Sequence, residues 1–487
     1  MKFIKWASGA IAGVVLATTL LTATIQAEGT RTIADESIYD VLVDRFLNGT
    51  TTNDLQVNTE DETKFAGGDF IGLQSKIDFI KKMGFTQISI GSVFATETYD
   101  GQMPTSYEAI EAHFGTADEL KSVIDIFHNA NIGVIVDFPI TNVSVNHEWA
   151  KDATKRDWVQ SVNQNKVQWD LSNTAVQQAL QEAVGAFVQT YDVAGIRLTN
   201  TTGVDAAFLN DIIATVKEQK DHIYVISNEE SDADFDAHFY HEVNEVYRTM
   251  FKSVDLDSSN FTKYVESFEG GQDEPTQIMF DSLQTDRFTY DVVEEGMFPP
   301  TRLKMALAPA LLLPGVPVIQ YGSEIAMNGE AGAEAHQYYN FKTDEELIDF
   351  IANLQELRNK SETLRNGDFD IIHNENGLLA FTRTSTDEEW FVMVNNTSKT
   401  KRIDLKPDQI GEDKELHGLL NGEIVRLTKE NVYPVIQDRE TVEVYQIIDE
   451  KGINISYVLA LGFVYVLFIG FIVMIIKRGK KNRASEK

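Results

Sequence analysis

Residues 132–138 read Ile-Gly-Val-Ile-Val-Asp-Phe, and this stretch decides the fold. Its apolar side chains do not alternate with polar ones, which is typical of a strand in a parallel sheet that is covered on both faces. Amphipathic helical stretches lie on either side of it, at Leu120–Ala130 and Val176–Tyr191. Further strand-like runs, again separated by helical stretches, lie at Ile38–Val43, Thr86–Ile90, Ala194–Leu198, Ile223–Ile226 and Pro317–Tyr321. This alternation predicts an α/β fold, a (β/α)8 TIM barrel rather than a doubly wound sheet.

The pattern changes at about residue 365, where short strands separated by turn residues replace the long alternation. These strands lie at Phe369–Ile372, Leu378–Arg383, Trp390–Val394 and Glu443–Ile448. They predict a small C-terminal antiparallel β-sandwich over residues 365–450. A segment rich in Asn, Gln and Trp, at about 142–171, follows the third predicted strand and is interpreted as a small inserted domain.

The N-terminus has the layout of a secretory signal peptide. Lys2 and Lys5 precede an uncharged apolar run at Ala7–Leu21, and small residues lead to Ala27. Residues 1–27 are therefore predicted to be a signal peptide that is cleaved after Ala27, with an uncleaved anchor as the alternative.

A second apolar stretch lies near the C-terminus. Residues 453–476 contain no charged side chain and are long enough to cross a hydrocarbon core of about 30 Å. Residues 477–487 are basic, and the positive-inside rule places such a tail in the cytoplasm. The sequence predicts a single-pass protein of the cell membrane with an extracellular ectodomain; a buried core helix is the alternative for residues 453–476.

Composition excludes several classes of function. The chain has 42 Lys and Arg against 75 Asp and Glu, a net charge of −33, so no nucleic acid partner is expected. Neutral substrates or partners suit such a surface better. There is no cysteine, which excludes disulfides, thiolate catalysis and cysteine-ligated zinc or iron–sulfur sites.

Five motifs follow one another along the chain in a recognisable order. They are IYDVLVDRF at 38–46, GGDFIG at 67–72, AHFGT at 112–116, GIRL at 195–198 and PGVPVI at 314–319. Together they resemble the α-amylase family, glycoside hydrolase family 13, over about residues 37–450. The resemblance implies a catalytic barrel over residues 28–364, a domain B inserted at about 142–171, and a C-terminal β-sandwich.

The resemblance also implies three carboxylates at the carboxyl ends of barrel strands. A retaining glycosidase needs one carboxylate to attack the anomeric carbon and a second to protonate the leaving oxygen. The family adds a third, which stabilises the transition state. In this sequence Thr199, Asn228 and Gln284 occupy the three positions. A threonine needs its own base before it attacks, and an asparagine donates no proton to a leaving group.

An alternative alignment would bring in carboxylates from neighbouring positions. Glu229 and Asp281 are the first candidates for such relocated catalytic acids, with Glu230 and Asp291 also near in sequence. Two residues at family motif positions are predicted to face substrate, and they are Arg197 and Asn142. Arg197 has an alternative role as the partner of a structural ion pair with Asp137.

A turn near the first predicted strand suggests a structural calcium ion. Cyclodextrin glucanotransferases bind calcium with a similar arrangement, which corresponds here to Asn48, Asn53, Asp54, Gly67 and Asp69. Several oxygen ligands on a turn suit a hard cation. An Asn- and Asp-rich turn that only caps its own backbone is the alternative.

The chain is therefore predicted to be a membrane-anchored α-amylase relative at the cell surface that is inactive or strongly impaired. It would act by binding an α-glucan or other neutral oligosaccharide, or an unidentified surface protein. The alternative is an active retaining α-glucan hydrolase or transglycosylase of the α-amylase type, acting on α-1,4-glucans through relocated carboxylates. Trp149, Trp158 and Trp169 cluster in the inserted region, either to stack on sugars or to form its core.

Overall fold

A computed structural model describes residues 31–268, 274–450 and 455–485, and side chains from 455 to 458 and beyond 477 are left aside. The predicted signal peptide lies outside the described residues, as do the first two residues of the predicted membrane span and the last two of the basic tail. Residues from Ile33 onward form one compact unit.

Strands and helices alternate through the first two thirds of the chain. The strands are β1 (Ile38–Asp40), β2 (Gln87–Ser89), β3 (Gly133–Pro139), β4 (Val143–Ser144), β5 (Val159–Asn163), β6 (Lys166–Trp169), β7 (Gly195–Thr199), β8 (Tyr224–Ser227), β9 (Gln277–Ile278), β10 (Val316–Gln320), β11 (Asp368–Glu375), β12 (Leu378–Thr384), β13 (Glu389–Asn395), β14 (Lys401–Leu405), β15 (Lys414–Gly418), β16 (Ile424–Arg426), β17 (Tyr433–Gln437) and β18 (Thr441–Asp449). The α-helices are α1 (Val43–Phe46), α2 (Phe70–Ser75), α3 (Ile77–Met83), α4 (Ala117–Asn129), α5 (Glu148–Lys151), α6 (Thr174–Thr190), α7 (Ala206–Gln219), α8 (His241–Phe251), α9 (Ser259–Glu266), α10 (Phe288–Glu294), α11 (Pro299–Leu312), α12 (Glu346–Lys360), α13 (Glu362–Asn366), α14 (Pro407–Ile410) and α15 (Ile455–Ser485).

The barrel is a curled parallel sheet with the strand order β8-β7-β3-β2-β1-β10-β9. Strand β3 is buried from Val134 to Pro139 and lies between β2 and β7, as its unbroken apolar sequence predicts. Helix α4 before it begins with a capping box between Thr116 and Glu119. The prediction of a (β/α)8 barrel is confirmed. The first predicted strand is shorter than expected, because it ends at Asp40 and the chain turns into α1 at Val43.

Residues 236–238 close the barrel between β8 and β9. The N–H of Asp236 donates to the carbonyl of Val225 over 2.9 Å, and the N–H of His238 donates to the carbonyl of Pro275 over 2.8 Å. The N–H of Gln277 donates in turn to the carbonyl of His238 over 2.8 Å. The sequence pattern did not predict this eighth position, because it is built from a few main-chain contacts rather than from an apolar run.

The inserted region forms a small antiparallel sheet of order β4-β6-β5. Trp169 at the end of β6 is only 1% exposed and packs into the main apolar core. Its indole N–H donates to the Tyr107 hydroxyl over 3.2 Å. This contact joins the inserted sheet to the loop that follows β2.

The C-terminal region is a sandwich of two antiparallel layers, as predicted. One layer has the order β11-β12-β13-β18-β15-β16, and the other pairs β14 with β17. An apolar core lies between them and includes Phe391, Tyr433 and Tyr445. The buried Arg383 of β12 donates to the carbonyl of Leu312 over 3.2 Å, which ties the sandwich to the end of α11.

Helix α15 contains one candidate membrane span within the described part of the chain, the 19 residues Leu459–Lys477. Its side chains are exposed rather than packed in a protein core. By length and composition this helix can cross a bilayer.

Candidate functional site

Thr199 and Asn228 lie side by side at the carboxyl ends of two neighbouring strands. The parallel pairing of β7 with β8 places Leu198 opposite Ser227, and the residues that follow these two are Thr199 and Asn228. In a parallel barrel this is the face where substrate sites are built. Gln284 follows β9 in an exposed turn, where its N–H donates to the Ser282 hydroxyl over 3.2 Å.

Two polar atoms at these strand ends are buried without a protein partner. The Thr199 hydroxyl and the side-chain oxygen of Asn228 are both inaccessible, and neither has a hydrogen-bond partner among the described residues. Thr199 as a whole is 3% exposed. A buried polar atom of this kind costs about 1–3 kcal/mol unless water or a ligand satisfies it.

The carboxylate of Glu229 is occupied by the loop that follows β7. It accepts the N–H of Asn200 over 2.8 Å and the N–H of Thr202 over 2.5 Å. The hydroxyls of Thr202 and Thr201 also donate to it, over 2.5 and 3.3 Å. Glu229 therefore fixes the position of residues 200–202.

The carboxylate of Asp281 is likewise committed to its own surroundings. It is 2% exposed, and its two oxygens accept the N–H of Phe288 over 2.5 Å and the hydroxyl of Ser323 over 2.7 Å. The guanidinium of Arg248 lies 3.6 Å from it. Asp281 thus joins the turn after β9 to the turn after β10.

The remaining two candidate acids also have protein partners. Asp291 accepts the Arg248 guanidinium over 2.7 Å, and burial raises the pKa of Asp291 although this arginine offsets part of the rise. Glu230 is exposed and accepts the N–H of His241 over 2.7 Å at the start of α8.

Arg197 lies inside the barrel between two carboxylates. Its guanidinium donates to Asp137 over 2.7 and 2.9 Å and to Asp40 over 2.8 and 3.1 Å. All three residues are at most 3% exposed. Burial alone lowers the pKa of Arg197, but the two carboxylates outweigh it and raise that pKa above its ordinary value. Burial raises the pKa of Asp137, and Arg197 opposes that rise. Four of the five N–H groups of Arg197 thus donate to carboxylates, which leaves at most one for a ligand.

Asn142 lies at the junction between β3 and the inserted sheet. It is half-buried and adopts a left-handed conformation with φ of 59°. Its neighbour Thr141 accepts the N–H of Trp169 over 3.0 Å through its hydroxyl, and the Asn200 side chain over 3.0 Å through its carbonyl. These contacts connect the end of β3 with domain B and with the loop after β7.

A further group of residues lies beside the turn after β9. It was not predicted, because no local sequence pattern marks it. The Tyr99 hydroxyl is 2.9 Å from the Nδ1 atom of His336, and the Arg45 guanidinium carbon lies 3.8 Å from the centre of the Tyr99 ring. The Nε2 atom of His336 is 3.1 Å from the carbonyl of Leu283. Burial lowers the pKa of His336 to about 4, so this ring is neutral at pH 7. His336 thereby connects the Gln284 turn to the loop of Tyr99.

The calcium candidates are brought together in part. The Asn48 side chain donates to Asp54 over 2.8 Å, and an added Cβ on Gly67, whose φ is +92°, would lie within 3.0 Å of both. The amide of Asn53 donates to the carbonyl of His113 over 2.7 Å, while its side-chain oxygen is buried without a partner in the described structure.

Asp69 lies on the other side of this turn and is 1% exposed. It accepts the N–H groups of Gly49, Thr50 and Gly72 over 3.0, 2.9 and 2.6 Å. No group of three or more His, Cys, Asp or Glu that could bind a metal occurs within residues 31–268, 274–450 and 455–485. The unpartnered oxygen of Asn53 fits a hard cation, which accepts amide oxygens as well as carboxylates.

Comparison with known proteins decides the family. Residues 40–170 match the alpha amylase catalytic domain, and residues 367–445 match the alpha-amylase C-terminal domain. An Anoxybacillus alpha-amylase structure is 32% identical, covers 87% of this chain and 100% of its own, and has a TM-score of 0.82. The chain belongs to the α-amylase family, glycoside hydrolase family 13.

Other α-amylase family proteins match over most of the chain. The alpha-amylase from Geobacillus thermoleovorans, complexed with acarbose, is 28% identical over 86% of this chain and 100% of its own, with a TM-score of 0.80. The cyclomaltodextrinase of Thermoanaerobacter pseudethanolicus is 24% identical over 78% of this chain and 73% of its own length. The Beta/alpha-amylase of Paenibacillus polymyxa is 27% identical over 83% of this chain, which spans only 37% of that protein.

Proposed function

We propose that this α-amylase family protein binds an α-glucan at the outer face of a cell membrane without hydrolysing it. The observation that carries the proposal is the pair Thr199 and Asn228, which lie at the ends of adjacent strands where the resemblance calls for the nucleophile and the acid/base. Neither side chain is a carboxylate, and a retaining mechanism needs two carboxylates about 5–5.5 Å apart.

The neighbouring acids support the absence of hydrolysis. Glu229 and Asp281 each accept main-chain N–H groups through their carboxylates, so moving either into a catalytic position would leave those donors unpaired. The loss of a buried hydrogen bond of this type costs about 1–3 kcal/mol. Moving Glu229 or Asp281 into a catalytic position would therefore destabilise the loops that these carboxylates hold at the strand ends.

The same strand ends are suited to binding. Asn228 is half-buried and Gln284 is exposed, and the side-chain amides of both can exchange hydrogen bonds with sugar hydroxyls. A neutral ligand also fits the net charge of −33. The α-amylase from Geobacillus thermoleovorans is complexed with acarbose, and another structural neighbour, AmyP, is complexed with maltotriose.

Export and anchoring remain part of the proposal. The N-terminal 27 residues would act as a signal peptide, and the span Leu459–Lys477 in α15 would anchor the protein by a single helix. The basic residues after Ile476 favour a cytoplasmic tail and an extracellular barrel.

A structural calcium ion is the second part of the proposal. Asn48, Asn53, Asp54, Asp69 and the carbonyl of Gly67 would hold it, and the unpartnered oxygen of Asn53 supports this assignment. The ion would supply fixed positive charge between the turn after α1 and the start of α2. It has no part in sugar chemistry in this proposal.

The test is a binding and turnover assay on the full chain in lipid nanodiscs, which avoids detergents with sugar headgroups. Maltoheptaose binding is measured by calorimetry, and turnover is measured with a blocked maltooligosaccharide chromogen and with soluble starch. We expect binding without product. The matched variant combines Thr199→Asp, Asn228→Glu and Gln284→Asp, and any turnover gained there supports a binding scaffold derived from an enzyme.

Turnover by the native protein would contradict the proposal. If Glu229→Gln or Asp281→Asn then abolished this turnover, the protein would be an active hydrolase that uses relocated carboxylates. If native protein bound no maltoheptaose and produced nothing, a protein partner would replace the glucan as the ligand.

A further inference from the structure

A groove lies between helix α6 on one side and, on the other, the loop after β2, helix α5 and the segment 153–158. It has a volume of about 510 Å³, within the range of roughly 300–1,000 Å³ that is typical of small-molecule sites. One wall carries Tyr107, Trp149 and Trp158, and the other is a face of α6 that includes Ala179, Ala183 and Ala186. The small alanine side chains leave the space into which the aromatic wall opens.

The three tryptophans of the inserted region have different environments. Trp169 is buried, whereas Trp149 and Trp158 are only half-buried and line the groove. The rings of Trp149 and Trp158 meet at 86° with centres 5.3 Å apart, so they form a corner rather than a closed stack. Half-exposed indoles in a concave site are typical of ligand contacts, because a large apolar face there remains available.

The charged groups around this corner restrict the ligand. The ammonium of Lys155 lies 5.2 Å from the centre of the Trp149 ring and 4.4 Å from that of Trp158. It makes no salt bridge within the described residues. Glu108 and Glu182 line the rim and are exposed.

These groups disfavour charged ligands of either sign. A cationic ligand would be repelled by the ammonium of Lys155, which lies close to both indole rings. An anionic ligand would meet the two rim glutamates and a net charge of −33. A neutral ligand with many hydroxyls would use all three features, since its C–H faces contact the indoles, Lys155 donates and the glutamates accept.

We infer that this groove is a second carbohydrate site that binds a short α-glucan segment, separate from the strand ends at Thr199 and Asn228. The choice of an α-glucan rests on the proposed function, whereas the position of the site does not. Trp158 and Trp149 supply the stacking faces, and Lys155 supplies a hydrogen-bond donor to the sugar hydroxyls. The groove would hold a glucan chain against the barrel without any chemical step.

The experiment titrates maltoheptaose into the full chain in lipid nanodiscs by calorimetry. We expect two classes of site in the native protein. Trp158→Ala removes one class, with binding there weakened by roughly tenfold or more, since one aromatic stacking contact has about that effect. The double variant Thr199→Val with Asn228→Leu weakens the other class and leaves the groove unchanged.

A second pair of variants separates groove occupation from folding. Ala186→Leu fills the groove from an exposed position of α6, and Ala175→Leu makes the same change at an exposed position of that helix outside the groove. Leucine is a good helix former, so both are expected to fold. We expect Ala186→Leu to lose the groove class of site and Ala175→Leu to keep it.

The outcomes distinguish this inference from the proposed function. Native-like binding by both Trp158→Ala and Ala186→Leu overturns the groove site and leaves strand-end binding intact. Loss of all binding in Trp158→Ala, with none lost in the strand-end double variant, supports the groove and overturns the strand-end site. No binding of maltoheptaose by the native protein overturns both.

Discussion

The interior of the barrel contains charged side chains that pair with one another, whereas the family's catalytic positions at the strand ends carry neutral side chains. In the interior, Arg197 is bound by Asp40 and Asp137 in a buried ion cluster. Two residues further along the same strand, Thr199 is neutral and its hydroxyl has no hydrogen-bond partner in the described structure. The barrel thus keeps charges where they stabilise one another, while the positions that would face substrate carry neutral side chains. The difference separates what folding requires from what hydrolysis requires.

The largest expected effect comes from breaking the interior cluster. Arg197→Met leaves two buried carboxylates without their cation, and removing one partner of a buried ion pair costs about 3–5 kcal/mol. We expect the variant to lose that much unfolding free energy in urea, or to fail to fold. Thr199→Val on the same strand is the control and should change stability by less than about 1 kcal/mol, because it removes an unpaired hydroxyl. Equal losses of unfolding free energy in the two variants would contradict this difference between the barrel interior and the strand ends.

His147 extends the comparison to a buried ionisable group without a countercharge. It is fully buried, and burial lowers its pKa to about 3. Since the unfolded chain binds a proton at about pH 6.5, stability falls as the pH drops from 6.5 toward 3, with this residue contributing about 2 kcal/mol of loss at pH 5.

His147→Asn keeps a side chain that can accept the N–H of Trp149 but does not titrate in this range. The difference in unfolding free energy between pH 7 and pH 5 should be smaller in this variant by about 2 kcal/mol. Chemical denaturation at the two pH values measures it. An unchanged pH dependence would mean that the pKa of His147 is the same in the folded and unfolded chains.

A substitution at Glu229 tests whether a carboxylate at the strand ends holds its neighbouring loop in place. Glu229→Gln removes the charge-assisted bonds to the N–H groups of Asn200 and Thr202, and we expect a loss of about 1–2 kcal/mol. Glu230→Gln, one residue further and exposed, weakens only one such bond, to the N–H of His241 at the start of α8, and should lose less, about 0.3–1 kcal/mol. If Glu229→Gln were as stable as the native protein, Glu229 would be free for another role.

Calcium is expected to have the smallest effect. A ligand present at tenfold its dissociation constant stabilises the folded state by about 1.4 kcal/mol. We expect calcium chloride to raise the melting temperature of the native protein, and Asp54→Ala with Asn53→Ala to abolish the increase while retaining the fold. An equal increase in the double variant would place the ion elsewhere.

Local patterns predicted the barrel well because its strands are marked by what they bury. The apolar run that became β3 and the run that became β7 were both predicted from the sequence. The closing segment at 236–238 was not, because main-chain bonds to Val225 and Pro275 define it. The motifs also predicted that Thr199 and Asn228 lie at the ends of two strands, and they lie at the ends of β7 and β8.

The pair of Arg197 with Asp137 was anticipated from the sequence, but the other partners of the site residues were not. Asp40 lies 157 residues before Arg197, and Glu229 is 29 residues after the N–H group of Asn200 that it accepts. Such contacts depend on which loops the fold brings together, and no local pattern records them. The same holds for His336, which reaches Tyr99 across 237 residues.

The bonds from Arg197 to Asp40 have a consequence for the order of folding. In the sheet, β1 and β7 are separated by β2 and β3, so the guanidinium crosses the interior instead of joining neighbours. A nascent chain that ends before residue 197 would hold Asp40 and Asp137 without a cation, and like charges in a forming core repel. The interior that β1, β2 and β3 share is therefore completed electrostatically only when β7 supplies Arg197, so the fold closes late in the order of the chain.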